Sequence, residues 1–138
     1  MLTLASVAQA QVQMDGNVSY FLFGSKVTVY MEEVQNLSDT KTGTLRIRVY
    51  ATTDHWDQLE RGHLLGSDSL PRLRANSDRF HLRRSMRLHR PDPDWYYVTV
   101  VVEERVVDET GSHWVFRDSR ESSDRMLIAR TAFPFFLW

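Results

Sequence analysis

The chain has 138 residues, 42% hydrophobic and 25% charged, enough for one domain with a buried core and not the composition of a disordered polymer. Its net charge of −1 supplies no global field that would select nucleic acid or an anionic membrane. No cysteine is present, which excludes disulfides, thiolate nucleophiles and cysteine-ligated zinc together.

In chain order, Met1 to Ala10 is apolar and small. Ala8-Gln9-Ala10 has the A-x-A form read by signal peptidase, with Gln11 as the new N-terminus. Residues 1–16 are therefore expected to be a signal-peptide remnant or N-terminal extension, and the protein to be periplasmic or extracellular in a bacterium. Ten residues are too few to cross a bilayer as a helix, which needs about 20.

Asn17 to Phe23 predicts a strand, with Gly24-Ser25 as a tight hairpin turn. Lys26 to Glu32 alternates, with Val27, Val29 and Met31 on one face. Asn36 to Gly43 is dense in turn formers. Leu45, Ile47, Val49 and Ala51 alternate with outward Arg46, Arg48 and Tyr50 in the cleanest strand of the chain. Thr52 to Gly62 is irregular; His63 to Leu70 is a weak strand ended by Pro71. Phe80, Leu82, Met86 and Leu88 share one parity, interrupted by Arg84; His81, Arg83, Ser85, Arg87 and His89 take the other.

Asp92-Pro93-Asp94 then feeds a strand that stops at Glu103-Glu104, with Tyr96, Val98, Val100 and Val102 on one face. Asp94-x-Tyr96-x-Val98 has the form of a tyrosine corner, in which the phenol bonds back to upstream backbone. Glu109 to Ser112 is a turn into a last core strand, His113 to Asp118, and Met126-Leu127-Ile128 a further short strand. Thr131 to Trp138 is an apolar tail.

About seven short strands with turn signals roughly every ten residues predict one all-β domain, an immunoglobulin-like antiparallel β-sandwich in Greek-key order over residues 17–130. Residues 131–138 form a docking tail in this reading.

Chemistry is thinly represented. Asp54-His55-Trp56-Asp57 could bind calcium or a sugar, with Trp56 as a stacking platform, but no second ligand cluster accompanies it. Asp39, Asp92 and Asp94 fit turns better than a calcium loop. No G-x-S-x-G elbow occurs. Glu103 and Glu104 are adjacent in a strand and so point to opposite faces, which excludes an acid/base pair. No catalytic residue, cofactor or metal is expected.

Between Arg72 and Arg90 the arginines 72, 74, 79, 83, 84, 87 and 90 meet a single acid, Asp78. Nucleic-acid binding is disfavoured, because Phe80 is the one aromatic in the segment and shares the inward parity. Docking on an acidic protein surface fits better, and no nucleic-acid partner is expected. The candidate contacts are Arg83, Arg84, Arg87 and Arg90, with Phe133, Phe135, Phe136 and Trp138 of the tail, which could also touch a membrane surface.

Val27–Asn36, Thr42-Gly43-Thr44-Leu45-Arg46-Ile47-Arg48-Val49-Tyr50-Ala51-Thr52, Gly62 to Gly66, Trp95 to Val100 and Gly111 to Asp118 together resemble a bacterial immunoglobulin-like module of exported proteins, of the CARDB-like kind. The resemblance spans roughly residues 17–120 and its motifs are structural. It implies a sandwich used in adhesion, assembly or display, and it carries no catalytic residue. The expected function is an accessory subunit docking on other subunits of a larger assembly, membrane-bound ones included. The alternative is a carbohydrate or calcium module using the 52–62 loop.

Overall fold

The computed structural model describes residues 11–129. Among them eight antiparallel strands and no helix form a β-sandwich, the further short strand at 126–128 included. The first sheet joins β1 (Val12–Phe23), β2 (Lys26–Asn36) and β5 (Asp78–Arg87), in the order β1-β2-β5. The second joins β3 (Leu45–Thr52), β4 (His63–Leu70), β6 (Asp94–Asp108) and β7 (Gly111–Glu121), in the order β4-β3-β6-β7. A short β8 (Met126–Ile128) pairs with the start of β6.

The alternation of the sequence places the core. Val27, Val29, Met31 and Met86 of the first sheet face Leu45, Ile47, Val49, Ala51, Val98, Val100 and Val102 of the second, and all are buried. Each such aliphatic side chain contributes roughly 1.5–3 kcal/mol on leaving water. The β1–β2 hairpin closes at Gly24-Ser25, with Phe23 opposite Lys26. Gly24 has φ 62°, the positive value a two-residue II′ turn requires at its first central residue. The tyrosine corner is formed: the Tyr96 hydroxyl donates to the Asp92 carbonyl at 2.5 Å, and Val98 lies in the core beside it.

Two boundaries differ from expectation. β1 begins at Val12 rather than Asn17, because Val12 and Met14 are buried opposite Asn36 and Val34. β6 continues past Glu103-Glu104 to Asp108, because both carboxylates are paired. Glu104 accepts from the Gly43 amide at 2.6 Å and Arg117 Nε at 2.8 Å, while Glu103 faces Arg46 and Arg61 on the opposite side of the sheet.

The sheets are clasped at both margins. Asp118 of β7 accepts the Met14 amide at 2.7 Å, and Arg120 donates to the Met14 and Gly16 carbonyls at 2.7 and 2.8 Å. At the other margin Arg84 donates to the Ser69 carbonyl of β4 at 3.0 Å.

Candidate functional site

A sandwich has two outer faces, and here they differ. Over its middle, the outer face of the second sheet is sealed by its own side chains. Tyr50, Thr99, Val101 and Glu103 point away from the core yet are buried. Outward parity thus did not mean solvent for Tyr50, because residues 53–62 fold across it. Trp56 lies against Tyr50 and Phe116, ring centres 6.0 and 5.7 Å away. Trp114 lies under the Arg46 guanidinium at 3.9 Å. Glu103 accepts from Arg46 Nε at 2.7 Å and from Arg61. Burial pushes its carboxyl up, but the bonds from Arg61 and Arg46 outweigh this and hold it below its ordinary value.

The outer face of the first sheet has no such cover. The pairing sets its rows: Phe23–Lys26–Arg87, Phe21–Thr28–Ser85 and Ser19–Tyr30–Arg83. A break then crosses all three strands, at Gly16-Asn17, Glu32 and His81. Gly16 and His81 there adopt φ 73° and 54°. Glu32 fills the space above Gly16 and accepts the Asn17 amide at 2.9 Å. Beyond the break the outward parity shifts by one in β2 and β5, while the extra residue of the β1 bulge keeps that of β1, and the rows become Asp15–Glu33–Phe80 and Gln13–Gln35–Asp78.

This break corrects the placement of Phe80. Its shared parity with Leu82 and Met86 predicts an inward ring; the positive φ of His81 turns it outward, 57% exposed. Phe23 at 70%, Phe21 at 58% and Tyr30 at 46% are exposed on the same face. Phe21 and Phe23 are stacked at 6.1 Å, and Arg83 lies 5.6 Å above Tyr30. The face is divided by charge. Lys26, Arg83 and Arg87 lie on one side of the break, Asp15, Glu33 and Asp78 on the other. Asp78 beside Glu33 pushes the Glu33 carboxyl up, against a hydrogen bond from Gln35.

The seven arginines from Arg72 to Arg90 therefore have three uses. Arg83 and Arg87 are exposed on the open face. Arg84 and Arg90, expected as partner contacts, are spent on backbone: Arg84 on Ser69 and Arg83, Arg90 on the carbonyls of Gly24 and Ala129 at 2.8 and 3.0 Å. Arg72, Arg74 and Arg79 line, with Lys41, a groove of about 440 Å³ at one end of the sandwich. The tail residues Phe133, Phe135, Phe136 and Trp138, and the segment 1–10, lie outside the described residues.

The loop candidates are brought together only in part. Asp54, His55 and Asp57 border a cavity of about 380 Å³ with Glu60, His63 and Tyr96. His55 stacks on Tyr97 at 4.4 Å, with its Nδ1 2.6 Å from Glu121. Asp57 accepts the Leu59 amide at 2.8 Å, as a turn residue. Trp56, expected as a sugar platform, has its ring against Tyr50 and Phe116 instead. Among the described residues no group of three His, Asp or Glu side chains is placed to hold a metal ion.

Sequence reasoning missed Phe21, Phe23, Tyr30, Phe80 and Lys26 as surface residues of one site, since they come from three strands. The available signal was Phe21 and Phe23 at alternate positions facing away from Leu22.

No family model matches the chain, and no curated protein matches it in sequence. Among solved structures, "Structure of beta-glucosidase 3B from Thermotoga neapolitana in complex with glucose" overlays 83% of this chain on 17% of its own, with 8% identity and a TM-score of 0.40. A likeness that distant carries no functional argument.

Proposed function

We propose that this chain is a non-catalytic, immunoglobulin-like accessory subunit, exported to the periplasm or surface of a bacterium, that docks on a neighbouring protein through the outer face of β1, β2 and β5. The observation that carries the reading is the contrast between the two outer faces. The second sheet buries Tyr50, Glu103 and the ring of Trp56 under its own loop and leaves one exposed ring, Trp95, at its β8 end. The first leaves four aromatic rings and both halves of a segregated charge pattern open. Exposed apolar patches rimmed by charge mark interaction sites. The Ala8-Gln9-Ala10 segment supports export, and a cysteine-free exported domain is common in bacteria. The aromatic tail Thr131–Trp138 supports a second point of attachment by its composition.

The alternative, carbohydrate or calcium binding by the 52–62 loop, has the cavity beside Asp54 in its favour and the closed rings of Trp56 against it. A photo-crosslinking residue placed at Phe21 or Phe80 in cells producing the full chain tests the docking reading. Protein adducts are expected from both positions and not from Leu59, which is still more open to solvent on the 52–62 loop. Adducts from Leu59 alone would overturn it.

A further inference from the structure

On the reading that this face is the working surface, its charge pattern specifies the occupant. We infer that the outer face of β1, β2 and β5 binds the same face of a second copy of this chain, forming a two-fold dimer with the strands of the copies antiparallel.

The argument starts from sign and position. Lys26, Arg83 and Arg87 occupy one half of the face; Asp15, Glu33 and Asp78 occupy the other. A uniformly acidic partner satisfies the basic half and is repelled by the acidic one. A nucleic-acid strand meets the same obstacle, since its backbone is negative throughout. The face is matched by a surface carrying the same two halves in reverse order, and the molecule itself carries one.

A two-fold axis parallel to the break and lying between the two faces, at the Met31–Leu82 pair on the basic side of it, produces that match. It reverses strand direction and sets β1 over β1, β2 over β2 and β5 over β5. The Arg83 and Arg87 rows of each copy then fall within about 3 Å, one residue, of the Glu33 and Asp78 rows of the other, and this match occurs twice, as isologous symmetry requires. The exposed rings of Tyr30 and Phe80, on either side of the break, fall near the axis, where an interface is driest and its anchors count most.

Size sets the strength. Three strands about 4.8 Å apart and about 11 residues long at 3.3 Å each offer roughly 500 Å² of flat area per copy. A standard interface buries about 800 Å² per partner, so this dimer belongs to the weak class, dissociating at roughly 10–100 µM. Its charges are near the rim and screened by salt.

Sedimentation equilibrium of the full chain, up to about 0.5 mM, tests this against two charge-reversed variants. R83E/R87E makes both halves acidic; E33K/D78K makes both basic. All four positions have exposed or half-buried side chains in the described fold, and thermal melts report that each variant is folded. The wild type is expected to dimerise reversibly and at least threefold more weakly on raising salt from about 0.05 to 0.5 M. Each variant alone should lose at least tenfold in affinity, and an equimolar mixture of the two should recover a heterodimer.

A wild type that stays monomeric at about 0.5 mM overturns the inference. So does a dimer that both variants retain, or a mixture that fails to pair. Adducts from Phe21 and Phe80 to a different protein, combined with a monomeric wild type, would refute the second copy and leave the docking reading standing. Absence of adducts from both positions would remove that reading as well.

Discussion

Replacing Glu103 by Gln changes charge and little else, at the centre of the sealed outer face. The carboxylate is 1% exposed and is held by Arg46 and Arg61, whose side chains are 20% and 29% exposed. Removing one partner of a fully buried ion pair costs about 3–5 kcal/mol. Here the two guanidinium groups left behind reach water in part, which lowers the expected loss to about 2–3 kcal/mol. The amide also turns donors toward donors at one of its two contacts.

The effect has a pH signature. Glu103 binds its proton more weakly in the folded state than in the unfolded chain. Its contribution is therefore fully present above the unfolded carboxylate value of about 4.3 and is lost as pH falls through the lower folded value. The gap between wild type and E103Q should be largest near pH 7 and shrink below about pH 4. Urea unfolding, followed through Trp56 and Trp114 beside the pair, measures it at both pH values. A loss under about 0.5 kcal/mol at pH 7, or a gap that persists undiminished in acid, would refute the reasoning.

Two further outcomes follow from the hydrogen bonds of Tyr96 and of the β1–β7 clasp. Tyr96→Phe removes the hydroxyl that donates to the Asp92 carbonyl and should cost about 1–2 kcal/mol by chemical denaturation, with the strand order kept. Asp118→Ala with Arg120→Ala frees the Met14 and Gly16 backbone groups. Amide hydrogen exchange of residues 12–16 should then accelerate by at least tenfold while the β3–β6 core stays protected; unchanged exchange there would show that the clasp does not hold β1.

The parts of this fold that local chemistry decides were legible in the sequence. Leu45, Ile47, Val49 and Ala51 are apolar at every second position, so β3 could face only one way. Gly24-Ser25 between two apolar runs permits a two-residue turn, and Asp94-x-Tyr96-x-Val98 carries its own backbone anchor. What stayed hidden depends on partners distant in sequence. Phe80 points outward because His81, an ordinary residue in composition, is held at positive φ. Tyr50 is buried because residues 53–62 cover it. Arg84 stood on the inward parity, but that it and Arg90 are spent on the carbonyls of Ser69, Gly24 and Ala129 depends on backbone distant in sequence. The open face was divided among three strands, so no single segment displayed it. The tail from Thr131 and the export segment rest on composition alone.

The break at Gly16-Asn17, Glu32 and His81 acts as a notch cut through three adjacent strands. A uniform ladder can slide, since each new offset by two residues restores inward and outward facing. A notched one cannot, because the irregular positions must lie side by side for all three strands at once. Any displaced pairing of β1, β2 or β5 would set an irregular residue of one strand against a regular stretch of its neighbour and turn part of the Val27, Val29 and Met31 row toward water. The sheet whose surface is least protected is therefore held to a single alignment.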